Sequence, residues 1–97
     1  MYRHIFIGTF KADVDDATKV AELADLKAIK SKIPGIVDLQ AGLSTGWIGA
    51  DNQVVMTIDF SNKADFDGFI AHPYHADYLA NLGAKLFDNY IAAQFEL

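Results

Sequence analysis

The chain has no cysteine and only two prolines among its 97 residues. Without thiols there is no disulfide framework, no cysteine nucleophile and no zinc ribbon, and a cytoplasmic address is the expectation. Positive charge is also scarce: eight Lys and Arg stand against thirteen Asp and Glu, for a net charge of −5. Nucleic acid is therefore not an expected partner, because phosphate binding needs a clustered positive surface. No apolar run approaches the roughly 18–20 residues of a membrane-spanning helix, so no membrane partner is expected. The opening Met1-Tyr2-Arg3-His4-Ile5 lacks the apolar core and cleavage site of a signal peptide. No repeat, low-complexity tract or linker breaks the chain, and residues 1–97 read as a single domain. With 52% hydrophobic and 22% charged residues, disorder is excluded and one core is affordable.

Hydrophobic periodicity gives the elements. Tyr2 to Phe10 alternates, with Tyr2, His4, Phe6, Gly8 and Phe10 on one side and Arg3, Ile5, Ile7 and Thr9 on the other. Both sides carry apolar groups, which predicts a strand covered on both faces. Asp13 to Lys32 switches to a helical stripe through Val14, Ala17, Ala21, Leu26, Ile29 and Ile33. Acidic residues gather at its start and lysines at its end, as the helix dipole favours, and Pro34-Gly35 ends it. Ile36 to Leu43 predicts a second strand, Ser44 to Asn52 a loop, and Gln53 to Phe60 a third strand. Ser61 or Asn62 caps a short helix carrying Phe66, Phe69 and Ile70, with Asp65 placed to complete a capping box from Asn62. Pro73 opens another helix, predicted to run to about Asp88, and Tyr90 to Leu97 is a last strand. The order β-α-β-β-α-β is the split βαβ plan of a ferredoxin-like α+β fold with an antiparallel sheet. Helices cover one face of such a sheet. The other face, bearing Ile5 and Ile7, predicts a homodimer formed through the sheets.

The candidates for chemistry centre on His72-Pro73-Tyr74-His75. His72 and His75 are spaced to share a helical face, with Asp77 or His4 as a third metal ligand. No established metal motif is present, so no metal and no cofactor are expected. His75 also reads as an acid/base group, since imidazole titrates near neutrality. His4, on the helix-facing side of the first strand, is its proposed companion. Two histidines lining one apolar cavity suit binding or enolisation of a small carbonyl compound; the competing reading is a structural pair satisfied by backbone groups. Lining candidates are His4, Phe6, Met56, Ile58, Phe69, His72 and His75, with Gly8 leaving space at one end. Trp47 sits in a polar loop and reads as an interface anchor.

The chain resembles the stress-responsive α/β-barrel (Dabb) domain family over essentially its whole length. The resemblance rests on His4 in a strand ending Phe10-Lys11, on Ile33-Pro34-Gly35-Ile36 followed by Gly42, and on Phe60-Ser61 with Phe66. Its most specific part is Phe69-Ile70-Ala71-His72-Pro73-Tyr74-His75. The resemblance implies a ferredoxin-like unit pairing as a dimeric α+β barrel. The family includes plant stress-linked proteins and a plant polyketide cyclase. That cyclase uses a histidine at the position of His75, a strand-one histidine at that of His4, and a tyrosine where this chain has Phe69.

Three functional readings follow. The first is a homodimer that binds a small apolar, aromatic or acyl ligand between sheet and helices. The second is a cofactor-free lyase, cyclase or monooxygenase with His75 as acid/base. The third is a structural assembly protein. A cavity shared by His4 and His75 favours the first two; Phe6, Phe66 and Phe69 filling that space favours the third.

Overall fold

A computed structural model describes residues 1–97. The chain orders its elements as β1 (Tyr2–Phe10), α1 (Asp16–Lys27), α2 (Ile29–Lys32), β2 (Asp38–Leu43), β3 (Gln53–Phe60) and α3 (Lys63–Ala71). A π-helical segment (Tyr74–Leu79) then runs into α4 (Ala80–Leu86), and β4 (Phe87–Glu96) closes the sheet. The strand order is β2-β3-β1-β4, antiparallel throughout. β3 lies between β1 and β2, which are joined through α1 and α2, so the fold is the expected ferredoxin-like α+β plan.

Register sets the two faces of the sheet. His4 pairs with Ile58, Phe6 with Met56 and Gly8 with Val54, while Gln94, Ala92 and Tyr90 sit opposite the same β1 residues on β4. These side chains share the helix-facing side. There the core closes on Phe10, Leu26, Ile29, Ile33, Val54, Ile58, Phe60 and Phe69. The opposite side carries Ile5, Ile7, Val55, Ile91 and Phe95 with no helix over it, and Ile91 is 65% exposed. At one end of that side the Arg3 guanidinium donates to both oxygens of Asp59 at 2.8 and 2.9 Å, which holds the Asp59 carboxyl below the usual carboxylate range.

Three boundaries differ from the sequence reading. The first helix breaks at Ala28 into α1 and α2, and it starts at Asp16 because Asp15 is the cap, accepting the Thr18 N–H at 2.8 Å. β2 begins at Asp38, since Gly35 takes φ +87° and the chain is still turning there. The last helix ends at Leu86 and β4 starts at Phe87, whose ring packs on Phe6 and Phe10 and pulls the chain onto the sheet early. Of the two cap candidates the structure uses Asn62, whose side chain accepts the Asp65 N–H at 2.9 Å.

Candidate functional site

A cavity of about 740 Å³ lies between the helix-facing side of the sheet and the helices. That volume suits a small organic molecule. Phe6 and Met56 line it from the sheet, Phe66 and Phe69 from α3, and Leu79 from the π-helical segment. Along β4 the lining residues Tyr90, Ala92 and Gln94 are solvent-exposed, which puts the mouth there. His4, Glu22 and His75 all reach the cavity, and no Lys or Arg lines it.

The alternation of β1 turns His4 inward, where it is buried with the Phe66 and Phe69 rings at 5.5 and 5.7 Å. Its Nδ1 lies 2.9 Å from Nε2 of Gln94. An amide nitrogen donates, so Nδ1 accepts and the ring proton sits on Nε2. Burial, reinforced by the neighbouring His75, lowers the His4 pKa to about 4. At neutral pH His4 is therefore an uncharged imidazole with an N–H to offer.

His75 is placed by the helix start. His72 closes α3, Pro73 follows at φ −56°, and the His75 and Ala76 N–H groups donate back to the His72 carbonyl. This lays the His75 ring on Phe69, 4.6 Å between centroids. Its Nδ1 is 3.0 Å from the Ile70 carbonyl oxygen. A carbonyl only accepts, so Nδ1 carries a proton, and Nε2 is the nitrogen left to face a ligand. The two imidazoles thus have complementary roles, one donor and one acceptor, and both adjoin the Phe69 ring.

Glu22 was not among the sequence candidates. It is 2% exposed, and its Oε2 has no hydrogen-bond partner. Burial, with a smaller contribution from Asp25, pushes its carboxyl up to about 7. The signal was present in the chain: Glu22 stands four residues before Leu26 and seven before Ile29, on the same buried stripe. A carboxylate at such a position interrupts an otherwise apolar face.

Several sequence candidates lie elsewhere. Ile58 is fully buried in the closed core and does not reach the cavity, because the helices pack directly over it. Gly8 opens no space: a Cβ there would meet Phe87 Cε1 at 2.7 Å. His72 turns to a shallow surface groove with Lys32, Tyr74 and Tyr78, and its Nδ1 receives the Tyr74 N–H at 3.1 Å. His72 and His75 therefore diverge rather than converge on a metal. Tyr74 and Tyr78 clasp α1 instead of the cavity, donating to the Asp25 carbonyl at 2.7 Å and the Asp25 carboxylate at 3.0 Å. Trp47 and Ile48 stand 91% and 95% exposed in the β2–β3 loop.

The fold and cavity define a ferredoxin-like α+β protein with a pocket between its sheet and helices. The chain belongs to the stress responsive A/B barrel domain (Dabb) family, whose sequence pattern matches residues 2–97. Solved structures share the fold. A dimeric ferredoxin-like protein of unknown function from Thermobifida fusca is 22% identical with a TM-score of 0.85, covering 99% of this chain and 90% of its own. A Dabb family protein from Mesorhizobium loti is 19% identical with a TM-score of 0.82, covering 99% and 95%. The hydroxynitrile lyase of Passiflora edulis is 18% identical with a TM-score of 0.82, covering 99% and 92%. No curated protein matches the chain by sequence.

Proposed function

We propose that the protein, as one domain over residues 1–97, is a cytoplasmic homodimer that binds a small apolar, aromatic or acyl ligand between sheet and helices. The observation that carries this reading is that His4 and His75 line one cavity with a solvent-exposed rim. The phenylalanines wall that space without filling it, which favours a binding role over a purely structural one. The dimer rests on the uncovered apolar side of the sheet and on the dimeric state of the Thermobifida fusca protein. A thermal-shift panel of small aromatic and acyl compounds tests the binding. A ligand at ten times its Kd adds about 1.4 kcal/mol, a shift of several degrees for a domain this size. His75→Ala should lose that shift. Equal stabilisation of wild type and His75→Ala would make the histidine structural.

The complementary ring nitrogens favour a second reading, acid/base catalysis without a cofactor. His75 Nε2 would take a proton from a bound hydroxyl or from carbon next to a carbonyl, while His4 Nε2–H polarises the carbonyl oxygen. Phe69 offers no hydroxyl, so that polarisation falls to His4 alone. Exchange of carbon-bound hydrogen for deuterium in a bound ketone, lost in His75→Ala, is the expected signature; exchange at the uncatalysed rate would remove this reading.

A further inference from the structure

Glu22 is the cavity's least explained group. Its carboxyl is buried on an apolar helix stripe, and Oε2 lacks any partner in the protein. A buried carboxyl oxygen without a hydrogen bond is costly, so such a group calls for a partner from outside the chain. The surroundings narrow what that partner is. No Lys or Arg reaches the cavity to hold an anion, and Asp88 adds a second carboxylate to its lining. His4 is held uncharged by burial and offers no compensating positive charge. Asp25 on the same helix adds negative potential, while Tyr74 and Tyr78, across from it, spend their hydroxyls on Asp25.

We propose that Glu22 sets the chemical class of the ligand: a small apolar molecule bearing a hydroxyl or amino group that donates to the Glu22 carboxyl, in preference to a carboxylate of the same shape. This rests on the cavity-binding reading above and narrows it, since an acyl ligand then enters as an aldehyde, ketone or ester with a donor group and not as the free acid. His4 Nε2–H and His75 Nε2 remain to engage a second polar atom of the ligand, and the phenylalanines hold its frame.

The test uses one frame with four ends: propylbenzene, 3-phenylpropan-1-ol, 3-phenylpropylamine and 3-phenylpropanoate, titrated by calorimetry or ligand-observed NMR at pH 8. Wild type should bind the alcohol or the amine at least ten-fold more tightly than the acid, and the two arms tell hydroxyl from amino recognition. Glu22→Gln, which keeps the shape and gains donors, should raise acid affinity about ten-fold, lower amine affinity about ten-fold, and leave the alcohol within three-fold. Glu22→Leu removes the acceptor and should weaken the alcohol about ten-fold; it serves if the glutamine variant does not fold. Equal binding of alcohol, amine and acid by wild type, or an unchanged ratio in the variants, overturns the role of Glu22. Failure of all four compounds, the bare propylbenzene frame included, overturns the cavity reading itself and this inference with it.

Discussion

The His75 ring lies 4.6 Å from the Phe69 ring, centroid to centroid, with the two planes tilted by 45°. Phe69 is 1% exposed and also touches His4, Phe60 and Phe66. It belongs to the core and adjoins both imidazoles. Phe69 also lines the cavity, so a hydroxyl added to its ring has the two histidines and the cavity as its nearby polar surroundings.

Phe69→Tyr is therefore expected to fold, losing about 1 kcal/mol or less if the hydroxyl finds an imidazole or cavity water. A hydroxyl left unsatisfied costs about 1–3 kcal/mol. The variant should bind aromatic aldehydes and ketones more tightly than wild type, because it adds a donor beside His4. Chemical denaturation and a ligand titration read both quantities. A loss at the top of that range with no gain in carbonyl binding would show that the new hydroxyl is sealed in the core.

The two shifted groups of the cavity oppose each other in their effect on stability. Native His4 protonates only near pH 4, against an ordinary 6.5, so falling pH protonates the unfolded chain first and stability drops between 6.5 and 4. Native Glu22 keeps its proton to about pH 7, against an ordinary 4.5, so its contribution is full below 4.5 and is lost as pH rises to 7. Between these limits the slopes cancel, and wild-type unfolding free energy should be nearly flat from pH 5 to 6. Glu22→Gln removes one slope, so its stability should climb by about 1 kcal/mol per pH unit over that range. The carboxyls of Asp15 and Asp59, both lowered, act at more acidic pH. Urea titrations at three pH values decide it; parallel profiles for wild type and variant would mean that Glu22 does not titrate there.

The fold was legible because the patterns that specify it are local. Alternation marked β1 and β3, the helix stripe marked Leu26, Ile29 and Ile33, and Ser61-Asn62 marked the start of α3 to within one residue. The pocket was only half legible. His4 follows from strand parity, and His75 from Pro73, but Glu22 was passed over because helix-stripe reasoning collects apolar positions and skips a carboxylate standing among them. Gly8, Ile58 and His72 lie apart from the cavity for one physical reason. A sequence gives the face on which a residue lies, and only three-dimensional packing says which neighbour fills the space above it. Phe87 fills it at Gly8, the helices at Ile58, and at His72 the chain turns outward before the π-helical segment begins.

Gly8 supplies a direct test of that packing. A methyl group there would lie 2.7 Å from Phe87 Cε1 and 3.0 Å from Cδ1, closer than van der Waals contact permits. Phe87 packs on Phe6 and Phe10 and itself lines the cavity. Gly8→Ala should therefore cost about 1–3 kcal/mol, as overpacking typically does. It should also reduce ligand affinity, because the displaced ring has the cavity to move into. Unchanged stability would mean that Phe87 yields freely and that Gly8 has no packing role.

The last prediction concerns the uncovered side of the sheet. Across the β1–β4 ladder Ile91 pairs with Ile7 and Ala93 with Ile5, and Ile7 pairs with Val55 on the β3 side, so these apolar groups adjoin on one surface. Water against such a surface is unfavourable by roughly 25 cal/mol per Å² of apolar area, which a second copy removes. Ile91→Lys places a charge on that apolar surface and, if two copies pair through it as proposed, should shift the protein to monomer at micromolar concentration in sedimentation equilibrium. Trp47 belongs to the same question. At 91% exposure its indole has no bed within its own chain, yet a partner chain would give it one. Trp47→Ala should weaken association by about ten-fold or more, and wild-type tryptophan emission should move to the red on dilution through the dissociation constant. A sedimenting monomer in wild type, or emission of a fully solvated indole at every concentration, would leave the sheet face open to solvent and remove Trp47 from the interface.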